Sequence, residues 1–201
     1  VYQTIPAIEG FVQQMPDEGA PGTERTEAWI MFDQTHLYVS GRLWESAPPS
    51  EWVANELRRD TSQLRENDSF WVAFDTFYDR RNGIIINITP IGGRMDGQIA
   101  DERDWNGDWN PIWDVRTGRF DGGWTVEMEI PFKSLRYRSG SPQVWGVQLR
   151  RNVRRKNEWT YLTPLPISAG SGAGGIFRVS EAATLVGLEV PQASKNLDIK
   201  P

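Results

Sequence analysis

Hydrophobic and polar positions alternate with a period of two through much of this chain. Trp124, Val126, Met128 and Ile130 fall on one side, Thr125, Glu127 and Glu129 on the other, the pattern of a strand with one buried face. Residues 145–153 repeat it, with Trp145, Val147, Leu149 and Val153 inward. EAWIMFD (27–33) and LYVSGRLW (37–44) read as two strands joined at the turn-forming Asp33-Gln34-Thr35-His36. The segment 70–77 is apolar on both sides and predicts a central strand. The strand 84–89 follows it after Asp79-Arg80-Arg81-Asn82-Gly83, where Asn-Gly predicts the positive φ angles of a tight hairpin. Residues 159–162 and 183–190 are the last predicted strands, and 62–65 and 132–135 each predict a single helical turn. Two stretches read as long loops, 101–109 and the SAGSGAGG of 168–175, the second flexible by composition. Many short strands with 19 glycines and 13 prolines among them predict an all-β fold. The expected architecture is an antiparallel β-sandwich, jelly-roll or immunoglobulin-like, with one domain over 1–190 and a tail over 191–201.

Composition narrows the chemistry. With 27 acidic and 22 basic residues the net charge is −5, which argues against a nucleic-acid binder. The absence of cysteine excludes disulfides, thiolate catalysis and Cys-ligated zinc. The longest apolar run, Ile84 to Ile86, is far below the ~18 residues of a membrane span. The chain begins at Val1, which raises the expectation of an exported protein whose signal peptide has been removed. The tail from Gln192 to Pro201 is expected to dock on its own domain or on a partner.

Three constellations could carry chemistry. Trp105, Trp109 and Trp113 recur every four residues within DERDWNGDWNPIWDV. Trp105 and Trp109 beside Asp104 and Asp108 suit a sugar site, in which a ring stacks on a pyranose and carboxylates bond its hydroxyls; the same tryptophans also suit core packing. Asp96, Asp101 and Glu102 lie in an acidic stretch that can supply hard oxygens for calcium. No EF-hand spacing is present, and a solvated loop balanced by Arg94 and Arg103 reads equally from the same residues. Arg150, Arg151, Arg154, Arg155 and Lys156 form a basic strand end. Alternation places Arg150 and Arg154 on one side, so that with Lys156 they are candidates for an anionic partner. Arg151 and Arg155 share the side of Leu149 and Val153 and are expected to pair with carboxylates such as Asp75 or Glu127. His36, the single histidine, sits beside a turn without a CxxCH haem motif. No GxSxG elbow is present, so an enzyme is not expected.

Four longer phrases add a resemblance. ANELRRD (54–60), NDSFWVAFDTFYDRRNG (67–83), GGWTVEMEIPFKSLR (122–136) and WGVQLRRNVRRKNE (145–158) occur in a fixed order. They resemble the N-terminal domain of bacterial envelope proteins that is related to carbohydrate-binding module family 9. The similarity runs over about residues 10–201, and in those proteins LVGLEVPQASKNLDIKP (185–201) marks the junction to an outer-membrane β-barrel. The resemblance implies a family 9-like sandwich in the periplasm or cell envelope, with calcium as a candidate ligand and no required cofactor. Two non-catalytic functions follow as expectations. One is a membrane-extrinsic scaffold subunit docking on the periplasmic face of a membrane protein complex. The other is a glycan-binding module using Trp105 and Trp109.

Overall fold

A computed structural model describes residues 2–140 and 142–191; the predicted docking of the tail beyond residue 191 lies outside them. Among the described residues, twelve strands form two antiparallel sheets. The smaller runs β2 (Thr26–Phe32), β3 (His36–Trp44), β9 (Gly123–Pro131) and β8 (Asp114–Phe120). The larger runs β1 (Val12–Met15), β11 (Glu158–Tyr161), β10 (Gln143–Val153), β4 (Ser69–Asp75), β5 (Gly83–Ile88), β6 (Arg94–Ala100) and β7 (Asp104–Asn106). β10 is long enough to share one edge between two partners, β11 at its end and β12 (Ala183–Leu188) at its start, while β4 takes the other edge.

The alternation read from the sequence decides the inner core. Trp124, Val126, Met128 and Ile130 of β9 join Leu37, Val39 and Leu43 of β3 against Phe70, Val72 and Phe74 of β4, Ile84 and Ile86 of β5, and Val147 and Leu149 of β10. β4 is buried at every position because the larger sheet is covered on both sides. Its outer side carries Trp71, Ala73, Ile85, Met95 and Tyr161. Over them lies a coil containing Leu165, Ile176, Phe177 and Val179. The glycine-rich stretch expected to be a flexible loop forms 3-10 turns at Ile167–Ala169 and Gly172–Phe177 within this cover.

Four strands escape the periodicity. β1, β6 and β8 carry few apolar residues, and β7 is a three-residue edge strand inside the predicted 101–109 loop. The hairpin after β4 also departs from expectation. Positive φ falls at Tyr78 and Arg80, not at Asn82-Gly83. Here Asp75 accepts from the amides of Asp79 and Arg80, and Asp79 from those of Arg81 and Asn82, so carboxylates shape the turn.

An ion network ties the two sheets together at one end. Arg151 of β10 is fully buried and donates to Glu45 at 2.7 Å, to the carbonyls of Trp44 and Arg25, and to Thr26. Arg155 pairs with Glu24 and Glu45, and Lys156 with Glu24 at 2.7 Å. The partners of Arg151 and Arg155 are therefore Glu45 and Glu24, not Asp75 or Glu127. Burial pushes the Glu24 carboxyl up, but hydrogen bonds from Lys156 and Ser46 and the ammonium charge prevail and hold it at about 2.

Two outcomes follow from this network. Glu45→Ala leaves Arg151 buried without its counter-ion and should cost about 3–5 kcal/mol, whereas Glu66→Ala, at the exposed pair with Arg154, should cost under about 1 kcal/mol; urea denaturation compares them. Glu24 has a folded pKa below its ordinary value of 4.5. Its stabilisation is therefore complete above that ordinary value and fades as pH falls from about 4.5 towards about 2. Glu24→Gln should flatten the urea midpoint over that window, and an unchanged acid slope would contradict the assignment.

Candidate functional site

The outer side of the smaller sheet is the open one. Register places its outward side chains in rows across β2, β3, β9 and β8. Met31, Tyr38, Glu129 and Asp114 form one, Trp29, Ser40, Glu127 and Arg116 the next, and Glu27, Arg42, Thr125 and Gly118 the third. These are the polar positions of the same strands whose alternate residues build the core, so the alternation that buries Val126 and Met128 also delivers Glu127 and Glu129 to solvent.

Two hollows lie along this surface. One of about 530 Å³ is lined by Tyr38, Asp114, Arg116 and Glu129, the other of about 340 Å³ by Glu27, Trp29, Arg42 and Phe120; Tyr2, Ser40 and Glu127 border both. Their size is that of a small-ligand site. Tyr2 crosses between them. Its ring packs on Trp29 at 5.0 Å, and its hydroxyl donates to Glu127 at 2.5 Å and meets Ser40 at 2.9 Å. Burial and the adjoining Glu127 carboxylate push the Tyr2 phenol up. Tyr38 donates to Asp33, which pushes its phenol up to about 12. At the far end Arg42 lies over the rings of Trp44 (4.6 Å) and Phe120 (4.7 Å). Neither Arg42 nor Arg116 forms an ion pair among the described residues. The groove therefore offers aromatic rings for an apolar ligand face, and carboxylates, guanidinium groups and hydroxyls for polar edges.

The residues singled out by sequence lie elsewhere. Trp105 stacks on Phe177 at 5.8 Å, on the covered side of the larger sheet, whereas Trp109 packs against the inner core. They do not share a platform. Along a strand a spacing of four keeps two residues on one side only while the strand is unbroken, and β7 ends at Asn106, where the Asn106 side chain accepts from the Asp108 amide in a turn. Asp108 is exposed, and Asp104 lines a separate hollow of about 350 Å³ with Phe77, Gln98, Asn106 and Arg136.

Asp96, Asp101 and Glu102 are likewise separated. Asp96 is buried and accepts from Arg59 at 2.7 Å and Trp113 at 3.1 Å; its carboxyl is pushed up by burial against those donors. Asp101 pairs with Arg81, and Glu102 with Arg178 and the Ser180 amide. Among the described residues no trio of His, Asp or Glu is placed to hold a metal ion.

The basic strand end is not a free surface either. Arg150 is 2% exposed, Arg154 pairs with Glu66, and Lys156 with Glu24. His36 meets Thr35 and lies 3.7 Å from Glu129. The aromatic groove members Trp29 and Tyr38 fall in strands that look like ordinary core, and their outward parity, two residues apart from Met31 and Ser40, is the sequence signal for the groove.

No family model matches the chain, and no curated protein resembles it in sequence. Solved structures do resemble it. A carbohydrate binding module family 9 from Caldicellulosiruptor kristjanssonii in complex with cellotriose superposes with a TM-score of 0.62 at 12% identity, covering 100% of this chain and 89% of that one. The same module in complex with glucose gives 0.62 at 12% identity, over 98% and 90%. A Bacteroides uniformis protein to which carbohydrate binding has been ascribed gives 0.72 at 10% identity, over 92% and 87%. The fold is thus an antiparallel β-sandwich of the family 9 kind.

The covered side yields one expectation. A Cβ at Gly97 would collide with the Trp105 ring. Gly97→Ala should displace that ring from Phe177, cost about 1–3 kcal/mol and shift tryptophan emission to the red. Unchanged stability and emission would show that the close approach is not needed.

Proposed function

We propose that this domain is a non-catalytic carbohydrate-binding module that takes a glycan along the outer groove of the smaller sheet. The observation that carries the reading is the groove itself. Rings of Tyr2, Tyr38 and Phe120 lie beside Glu127, Glu129, Arg42 and Arg116 on the outer side of the smaller sheet, with Trp29 buried beneath Tyr2. A pyranose has an apolar C–H face and a rim of hydroxyls, and this set of side chains meets both. The family 9-like fold supports the same reading, since neighbours of that fold are complexes with cellotriose and glucose. An extracytoplasmic setting, where polysaccharide is met, is part of the proposal. The scaffold-subunit expectation draws no comparable support, and the arginines and lysine that were candidates for an anionic partner are buried or already paired.

Isothermal titration with gluco-, xylo- and manno-oligosaccharides tests the proposal. At least one series should bind without being cleaved. Glu127→Ala and Arg42→Ala should each weaken binding by about tenfold or more, the worth of a hydrogen bond to a charged group. Asp108→Ala, away from the groove, should leave it unchanged. Binding that is absent, or indifferent to both groove substitutions, would sink the proposal.

A further inference from the structure

The outer side of the larger sheet holds a charge without a counter-ion. Register sets Tyr161, Arg150, Trp71 and Asn87 in one row across β11, β10, β4 and β5. The Arg150 guanidinium lies 4.8 Å from the ring centre of Trp159, 5.2 Å from Trp71 and 5.7 Å from Tyr161. Its Nη1 donates to the Gly172 carbonyl at 2.8 Å, but its Nε has no partner. Arg65 stands nearby over Trp105 at 5.6 Å, and its Nε is also buried and unpaired. The neighbouring arginines have counter-ions, Arg151 in Glu45, Arg154 in Glu66 and Arg155 in Glu24 and Glu45, although the Arg155 Nε is also buried and unpaired. Among the described residues Arg150 and Arg65 pair with no carboxylate. The Trp159 Nε1 and both amide atoms of Asn87, on the same side of the sheet, are buried without hydrogen-bond partners too, while the Tyr161 hydroxyl lies beside the Arg150 guanidinium.

Burying a cation without an anion is costly, and buried polar atoms normally find partners. A cluster that violates both rules in one place has the composition of a site missing its ligand. Burial pushes the Arg150 pKa down, the adjoining Tyr161 hydroxyl opposes that, and the charges of Arg154 and Arg65 add to it; an arriving anion would relieve it. Geometry restricts the shape of that anion. Aromatic rings crowd the guanidinium and Gly172 takes Nη1, so the unpaired Nε is left for an anionic oxygen, which a carboxylate can supply. The cover is backbone. Gly170 and Gly172 adopt positive φ, and a Cβ on Gly172 would sit 3.5 Å from Trp159. The Gly172 carbonyl thus stands where an anionic oxygen would otherwise be.

We propose that Arg150, supported by Arg65, binds the carboxylate group of a small organic acid beneath the 167–177 segment. This site is separate from the groove of the smaller sheet and does not depend on it. Two sources share the chemistry, an acidic sugar and a simple carboxylate.

Thermal unfolding and tryptophan emission with sodium glucuronate or sodium acetate, against sodium chloride at equal ionic strength, test it. We expect glucuronate to raise the melting temperature above the chloride control and to change the emission, because Trp71 and Trp159 flank the site. An equal response to acetate assigns the site to simple carboxylates; a response to glucuronate alone assigns it to acidic sugars. Arg150→Met should abolish the response, and Arg65→Gln should weaken it about tenfold. No response to either salt overturns the proposal, as does a response that survives Arg150→Met. Should Arg150→Met fail to fold, Arg65→Gln decides, and unchanged affinity in that variant overturns the proposal.

Discussion

The guanidinium of Arg151, held between the two sheets, is the constraint on which much of the sandwich depends. It cannot reach water, so every donor must be met inside. Glu45, the Trp44 and Arg25 carbonyls and Thr26 meet them, and all belong to β2, β3 or the residues flanking them. A hydrophobic interface can slide, because apolar contact has no direction. A charge pair combined with backbone acceptors cannot, because each donor has one acceptor position. The network therefore fixes how β10 of the larger sheet sits on the β2–β3 end of the smaller one, and so sets the alignment of the interdigitating core.

With the sheets so aligned, their outer sides take different fates. The larger sheet is apolar on both sides through β4 and β5, and its outer side must be covered. The coil from Leu165 to Val179 supplies that cover and makes a third layer. The smaller sheet alternates apolar and polar residues, so most of its outer side is stable in water, and the N-terminal segment covers only the part around Trp29. A groove lined by Glu127, Glu129 and Arg42 is available on that side because the strands beneath it already satisfy their cores with the alternate residues.

The same division explains the two cationic patterns of β10. Arg151 and Arg150 are adjacent and point to opposite sides. Arg151 enters the interface and finds carboxylates, while Arg150 enters an aromatic layer that contains none. One residue of offset in a strand separates a structural clamp from an unpaired buried charge.

Local sequence determined the strand set of β2, β3, β4, β5, β9, β10, β11 and β12, because period-two burial is a property of neighbouring residues and needs no knowledge of distant ones. It determined which side of β9 faces the core, and with that the outward positions of Glu127 and Glu129. It did not reveal β1, β6, β7 or β8, which are too short or carry too few apolar residues to leave a pattern. Nor did it reveal the site. Trp105 and Trp109 look like one platform along the chain, yet a turn at Gly107-Asp108 sends them to different layers. The carboxylates of Asp96, Asp101 and Glu102 look like one cluster, yet Arg59, Arg81 and Arg178 each claim one of them. Partners for these groups come from segments far away in sequence, and register across sheets, which brings Trp29 beside Ser40 and Glu127, exists only once the strands have paired. The tertiary structure alone decides which charges meet and which ring remains uncovered, because both depend on contacts between residues that no local pattern connects.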